Sequence, residues 1–290
     1  MQNLDEHTIT ESVLATFQHT QNPRLKTILE SLVRHLHGFA REVRLTEDEW
    51  SAGIDFLTRT GHMSMGGRQE FILLSDVLGL TMLMESINHH AQGEATENSV
   101  LGPFFVQGRP AVPNGGDISG GLPGTPLYFA AEVRDVHGTP IAGASVDIWQ
   151  SDDDGFYDVQ REGLQEAVLR GQFTTDAQGR FWMWSIVPAA YPIPYDGPVG
   201  QLLTASERPY MRPAHVHVLV QAPGFERLTT MLFLEGDPHL DNDPVFGVKD
   251  SLVKVLEQAP AGTAPDGTPR ETPYSVLTHT FKLTPTGGAS

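Results

Sequence analysis

The pattern of this chain changes at Gly102-Pro103, and that change limits the folds open to it. Before it, apolar residues recur at helical spacing. Leu25, Ile28, Leu29, Leu32, Val33, Leu36 and Phe39 form one apolar stripe. Thr46 and Glu49 have capping-box spacing and open a second helix through Trp50, Ile54 and Leu57. Residues 71–87 read as a third helix, apolar nearly all round except at Asp76, and are expected to be buried. After Gly102-Pro103 the helical period disappears. Residues 107–126 are rich in Gly and Pro and read as a long irregular connection. Short alternating runs follow at 127–135, 144–150, 181–186, 215–221, 229–234 and 275–283, set apart by His137-Gly138, Gln178-Gly179 and Pro223-Gly224. Short strands separated by turns predict an antiparallel β-sandwich or barrel. The expected class is α+β, mainly β: a helical region over 1–102, then a sandwich over 103–290.

Charge and composition narrow the function. Acidic residues outnumber basic ones 36 to 19, a formal net charge of −17, which repels nucleic acid and anionic membrane. There is no Cys, so disulfides and thiolate chemistry are excluded. Met1-Gln2-Asn3-Leu4-Asp5-Glu6 has neither a basic nor an apolar signal region, and no apolar run approaches membrane-spanning length. The reading is a cytoplasmic protein that neither binds nucleic acid nor inserts into a membrane.

His215-Val216-His217 lies in the β-branched run Pro213-Ala214-His215-Val216-His217-Val218-Leu219-Val220. Side chains alternate along a strand, so the two imidazoles share a face and form half a metal site. Alone, the pair also fits two packed histidines. Tyr191 lies 24 positions upstream (215 − 191) and Tyr157 another 34 (191 − 157), both in Gly/Pro-marked segments of a chain with six tyrosines. Each could instead be an aromatic packing residue, and Tyr195 and Tyr210 are the nearest alternatives. Two phenolates with two imidazoles are an unusual set for zinc. Phenolate is a hard anionic oxygen donor that suits a hard trivalent cation, so Fe(III) is the natural candidate. The segment from Pro188 to Arg212 exceeds a plain turn, and a long insert in a compact domain is usually functional.

Tyr157, Tyr191 within Val187-Pro188-Ala189-Ala190-Tyr191, Arg212-Pro213-Ala214-His215-Val216-His217 and Gly102-Pro103 resemble the intradiol ring-cleavage dioxygenases. The resemblance runs from about residue 25 to residue 283. It implies helices followed by a β-sandwich that holds one non-haem Fe(III) through Tyr157, Tyr191, His215 and His217. It implies cleavage of a catecholic ring between its hydroxylated carbons with both atoms of O2, in aromatic-compound degradation. Tyr191 would be ligand and base in turn, and Arg212 would stabilise developing negative charge. Members of the family commonly pair as homodimers through the amino-terminal helices, sometimes around a phospholipid. The stripe from Leu25 to Phe39 fits that role, though it could also pack on its own domain.

Leu73, Asp76, Val100-Leu101-Gly102-Pro103-Phe104, Ile193-Pro194 and Val245 resemble the hydroxyquinol-cleaving branch of that family more than the catechol-cleaving branch. With Arg212 they are the expected substrate-binding residues. Asp76 is expected either to cap a helix or to meet a substrate hydroxyl. Met231 departs from many catechol-cleaving relatives, which carry Gln there. A non-catalytic β-sandwich binding module would explain the strands but not the two tyrosines together with the histidine pair. Asp152-Asp153-Asp154-Gly155 lacks the rest of an EF-hand and reads as a turn, and Asp237 with Asp241-Asn242-Asp243 reads as a solvated turn.

Overall fold

Asn22 accepts the backbone N–H of Leu25 at 3.0 Å and Pro23 follows it, so the first long helix begins where its free amide is met by a cap and its φ is already set. The computed structural model describes residues 4–65, 68–89, 93–161, 163–164 and 166–287; Met1 to Asn3 and the Gly288 to Ser290 tail lie outside these. Two compact units result, Met1–Arg59 and Thr60–Ser290. In the first, helix α1 (Ile9–Ala15) packs on α2 (Pro23–Glu42), tied by Arg34 to Glu11 at 3.0 Å and by Thr10 to His37 at 3.0 Å. Helix α3 (Glu47–Met63) opens on the expected capping box: Glu49 Oε2 accepts the Thr46 amide at 2.9 Å, and Thr46 Oγ1 accepts the Glu49 amide at 3.3 Å.

In the second unit, the helix expected over 71–87 is two helices, α4 (Glu70–Val77) and α5 (Leu80–Asn88). Gly79 breaks them apart with φ +74°, a left-handed value open to a residue without a Cβ. The expectation of full burial fails as well. Leu73, Asp76 and Val77 are buried, but Phe71, Ile72, Leu83, Met84 and Ile87 are exposed.

The strands are β1 (Pro126–Asp135), β2 (Ser145–Gln150), β3 (Arg170–Thr174), β4 (Arg180–Ile186), β5 (Tyr191–Pro192), β6 (Met211–Arg212), β7 (His215–Gln221), β8 (Leu228–Leu234), β9 (Val253–Lys254), β10 (Glu257–Ala259), β11 (Gly262–Thr263), β12 (Pro269–Arg270) and β13 (Tyr274–Leu283). One sheet runs β10-β13-β1-β4 and the other β3-β2-β7-β8-β9, with β5-β6 and β11-β12 as small ribbons. The sandwich holds as expected, with one difference: β1 pairs with β13 in parallel, as β8 does with β9. Strand β3 was not legible, because Arg170-Gly171-Gln172 interrupts its apolar alternation. Helix α6 (Pro198–Ala205) fills part of the 188–212 insert. Among the described residues, no helix is long and apolar enough to cross a membrane.

The alternation of β7 decides where the site lies. Val216, Val218 and Val220 face the other sheet and join Phe129, Phe181, Leu277 and Phe281 in the main core. His215, His217 and Leu219 face the opposite way, beside Trp149 of β2 and Met231 and Phe233 of β8. Both faces of the strand are therefore covered, and the histidines are buried with it.

Candidate metal centre and ring cavity

Four donor atoms converge above β7. Tyr157 Oη lies 3.0 Å from His217 Nε2, 3.3 Å from His215 Nε2 and 3.3 Å from Tyr191 Oη. The two Nε2 atoms are 3.1 Å apart, and Tyr191 Oη lies 3.5 Å from His215 Nε2. Donors about 2.0–2.1 Å from one ion, at angles of roughly 90–110°, would be about 2.8–3.4 Å from each other. The observed separations match that spacing. Tyr157, Tyr191, His215 and His217 are all buried, as the sequence placed them, whereas Tyr195 and Tyr210 are exposed.

The protonation states ask for a cation. His215 Nδ1 donates to the Pro213 carbonyl at 2.7 Å, which leaves Nε2 with a lone pair aimed at the cluster. Burial, and then the charge of Arg212, hold the His215 pKa down to about 3. Burial, and then His215, push His217 well below the ordinary imidazole value. Burial and the neighbouring Tyr191 raise the Tyr157 phenol well above its ordinary value. Two neutral imidazoles and buried phenols thus bring lone pairs within contact distance of each other without a positive centre among them. A hard trivalent cation satisfies all four donors and drives phenol ionisation, so the residues fit Fe(III).

Each donor is held by its surroundings. Trp149 stacks on His217 at 4.6 Å between centroids, and Phe104 stacks on Tyr157 at 4.4 Å. Gly102, at φ +77°, packs against His217: a Cβ there would lie 3.0 Å from its Cε1. Any side chain would push the ligand away. Tyr157 follows the acidic turn, where Asp152 Oδ1 accepts the amides of Asp154 and Phe156 at 3.0 and 2.9 Å and Oδ2 pairs with Arg161. The turn reading was right, and the turn presents the ligand. Arg170, which the sequence did not single out, is buried, pairs with Asp158 and donates to the Phe104 carbonyl at 3.1 Å. The 188–212 insert returns on itself through β5 and β6, so Tyr191 and Arg212 are direct partners across a two-residue ribbon.

Arg212 is buried and clasped by Asp243: Nε donates to Oδ1 at 3.0 Å and Nη2 to Oδ2 at 3.2 Å. Nη2 also lies 3.4 Å from Met231 Sδ, while Nη1 is 3.5 Å from His215 Nε2. Burial alone would lower the guanidinium pKa, but Asp243 and the tyrosines hold it above its ordinary value. Burial would likewise raise Asp243, yet Arg212 holds that carboxyl below the ordinary range. The solvated-turn reading therefore fails at Asp243, while Asp241 and Asn242 are exposed as it expected. Asp243 is buried and also accepts the Gly247 amide at 2.9 Å, while Asp237 accepts the Ala214 amide at 2.8 Å. An acidic, turn-like string looks the same whether water or a buried arginine receives it. The one available signal was the presence of a buried-type arginine without a neighbouring acid in sequence.

Beside Tyr191 and Arg212 lies a narrow cavity, with about 20 Å³ of room for a water-sized sphere, lined by Leu73, Asp76, Val100, Gly102, Pro103, Phe104, Ile193, Pro194 and Val245. Of the substrate residues expected from the sequence, Leu101 alone is absent from the lining; its side chain is 36% exposed, because the left-handed Gly102 turns the backbone between it and the wall. Asp76 is the acidic group in this wall. It accepts the Thr81 hydroxyl at 2.6 Å, and burial raises its pKa against the opposing pull of Thr81 and Arg212.

Known proteins share much of this sequence and this fold. Residues 101–283 match the family model described as Dioxygenase, and residues 22–96 match that of the catechol dioxygenase N terminus. The chain is 48% identical to a hydroxyquinol 1,2-dioxygenase of Nocardioides simplex over 98% of this chain and 97% of that one. It is 53% identical to a 6-chlorohydroxyquinol 1,2-dioxygenase of Cupriavidus pinatubonensis, covering 87% and 92%. The crystal structure of hydroxyquinol 1,2-dioxygenase from Pseudomonas putida DLL-E4 superposes with a TM-score of 0.90 at 44% identity, over 97% of this chain and 98% of that one. Both regions of the chain are matched, at this identity and over nearly its full length, so the chain belongs to the intradiol ring-cleavage dioxygenase family.

Proposed function

We propose that this enzyme cleaves hydroxyquinol, benzene-1,2,4-triol, between its adjacent hydroxylated carbons. Both atoms of O2 enter the product, 3-hydroxy-cis,cis-muconate, which tautomerises to maleylacetate. The observation that carries the substrate is Asp76, a buried carboxyl that lines the same cavity as Tyr191, Arg212 and the apolar Leu73, Val100, Ile193 and Val245. A buried acid is costly without partners, and Thr81 occupies only one of its oxygens, so the third hydroxyl of a triol is a fitting second partner. Relatives named for hydroxyquinol and 6-chlorohydroxyquinol support the same choice.

Tyr157, Tyr191, His215 and His217 would hold Fe(III). Bound there, Fe(III) would supply Lewis acidity and electron-accepting character toward a catecholic ring, which would make a ring carbon reactive toward O2. The protein does the rest. Tyr191 Oη, at the border between donor cluster and cavity, takes a substrate proton as the diol binds. Leu73, Val100, Ile193 and Val245 hold the ring flat and exclude water. Arg212, buried and permanently charged, faces the negative charge that grows on the ring oxygens. Asp243 grips the Nε and Nη2 edge, so the guanidinium can present only its Nη1 side to the donors.

The exposed stripe of α2 supports a homodimer that pairs through these helices, and the same apolar face suits the acyl chains of a phospholipid. The substrate reading is tested by oxygen uptake on hydroxyquinol and catechol. Wild type should favour hydroxyquinol in kcat/KM by about a hundredfold or more, because loss of the hydroxyl leaves Asp76 unpaired. Asp76→Ala should remove most of that preference. Equal efficiency of wild type on the two substrates would return the assignment to catechol.

A further inference from the structure

Glu70 is a buried charge that the chemistry above does not use. It sits in the first turn of α4 with no exposed surface. Its Oε2 accepts Arg68 Nε at 2.9 Å, and its Oε1 accepts the Val199 amide, in the first turn of α6, at 3.1 Å. Arg68 continues to Asp196 through Nη1 at 2.8 Å. One carboxylate therefore joins the start of α4 to the start of α6, with Arg68 fastening the loop between Tyr191 and α6 from outside. Gly197 makes the junction possible. A Cβ at that position would collide with Glu70 Oε1 and lie 2.7 Å from Met63 Sδ and 2.8 Å from Arg68 Nη2.

The two elements joined here each lead into one wall of the ring cavity. Leu73 and Asp76 follow Glu70 by three and six positions on α4 (73 − 70 and 76 − 70), and Ile193 and Pro194 precede α6 on the insert. The junction also lies at the cavity's mouth. An outer cleft lined by Arg68 and Glu70 shares Leu73, Pro103, Phe104 and Pro194 with the ring cavity. A buried ion pair is weak evidence for stability, since apolar packing often serves as well. What it supplies is direction, because a carboxylate with two fixed partners cannot slide as an apolar contact can.

We propose that Glu70, clasped by Arg68 and seated against Gly197, is a positioning residue for substrate selection: it sets the gap between Asp76 and the Ile193-Pro194 wall. This deepens the hydroxyquinol reading and rests on it. Glu70 touches neither substrate nor metal donors and acts through Asp76 and the cavity walls.

The test uses the iron-loaded full-length enzyme with Glu70→Gln, Glu70→Leu and Gly197→Ala. Misplacement of a reacting group by about 1 Å can cost about a hundredfold, so the hydroxyquinol-over-catechol ratio of kcat/KM should fall about tenfold or more in Glu70→Leu. Glu70→Gln should fall less, since its amide oxygen still accepts from Val199. Gly197→Ala should resemble Glu70→Leu. The catechol efficiency should stay within about threefold of wild type in all of them, because the lost contact is to the third hydroxyl. Anaerobic binding of hydroxyquinol should weaken by the same factor as the ratio, with the iron-phenolate absorption unchanged. In an Asp76→Ala background the same substitutions should leave the ratio where it is, as residues acting through one group are not additive. A parallel fall on both substrates, or a preserved ratio with only a lower melting temperature, would mean that Glu70 serves folding alone. If Glu70→Leu does not fold, Glu70→Gln and Gly197→Ala give the same reading. A wild type without preference overturns the hydroxyquinol assignment and this proposal together. A wild type with preference and variants that keep it overturn this proposal only.

Discussion

Strand β7 and helix α2 carry the two plainest periodic patterns in the chain, and they end in opposite environments. Six of the seven residues of β7 are buried, histidines included. None of the twenty residues of α2 is buried, although its apolar stripe is as regular as any in the chain. Leu32 and Leu36 remain 56% and 58% exposed. Periodicity states which side chains share a face. It does not state what, if anything, covers that face. In β7 one face is covered by the second sheet and the other by tyrosines brought from distant loops. In α2 the apolar side chains Leu25, Ile28, Leu32, Leu36 and Phe39 stay exposed.

The hardest test of the contrast is at the buried strand. His217→Ala should lose iron and at least about a thousandfold in turnover, since His215 already serves as a donor and cannot also fill the vacated position. Metal analysis and visible absorption check it; an iron-replete, active variant would show that the convergence of four donors has been misread. Next in size is the clasp behind the site. Asp243→Ala should lower kcat/KM about a hundredfold, close to the effect of Arg212→Ala, and the two losses should not add. Additive losses would mean that Asp243 supports the loop rather than the guanidinium.

At the exposed helix, Leu32→Glu with Leu36→Glu should convert the dimer to a monomer in light scattering while turnover and colour stay within about twofold, as is usual for exposed substitutions. Loss of the chromophore along with the dimer would erase the distinction between the two regions, and a wild-type monomer would remove the dimer altogether.

The smallest effect separates one buried histidine from another. His279 of β13 lies against Phe281 at 4.6 Å, and its Nε2 has no partner among the described residues. Burial, with a smaller push from Lys254, holds its pKa down to about 4. The unfolded chain binds a proton there near pH 6.5 and the folded chain does not until about 4. Stability should therefore fall as pH drops through that window and level off below it, by on the order of 1–3 kcal/mol. Denaturant melts of the iron-loaded protein at pH 7, 5.5 and 4.5 measure the slope, and His279→Gln should flatten it. An unchanged slope would place the acid sensitivity elsewhere.

Spacing was enough to pair His215 and His217, because a period of two puts them together whatever surrounds them; Tyr157 and Tyr191 were picked out by the family resemblance. Asp76 was legible as an acid in an apolar run, with Glu85 the only other over 71–87. The break at Gly79 was not, since a single Gly inside a helical pattern is usually tolerated. Asp243 and Glu70 were not legible either. Asp243 pairs with Arg212 31 positions away (243 − 212), and Glu70, though Arg68 is two positions off, also accepts the Val199 amide 129 away (199 − 70); local sequence says nothing about contacts of that range.

By itself, the sequence determined the helical start, the sandwich that follows, and the residues able to bind a hard cation and meet a catecholic ring. Those follow from local periods, turn residues and donor chemistry, which belong to short stretches of chain. Only the tertiary structure decided that β1 and β13 run parallel, that Leu101 leaves the cavity while its neighbours line it, and that Asp243 and Glu70 are buried in charge pairs. Strand direction, side-chain cover and ion pairing depend on which distant segments meet. That is settled when the sheets close over Val216, Val218 and Val220 and leave His215 and His217 on the other side.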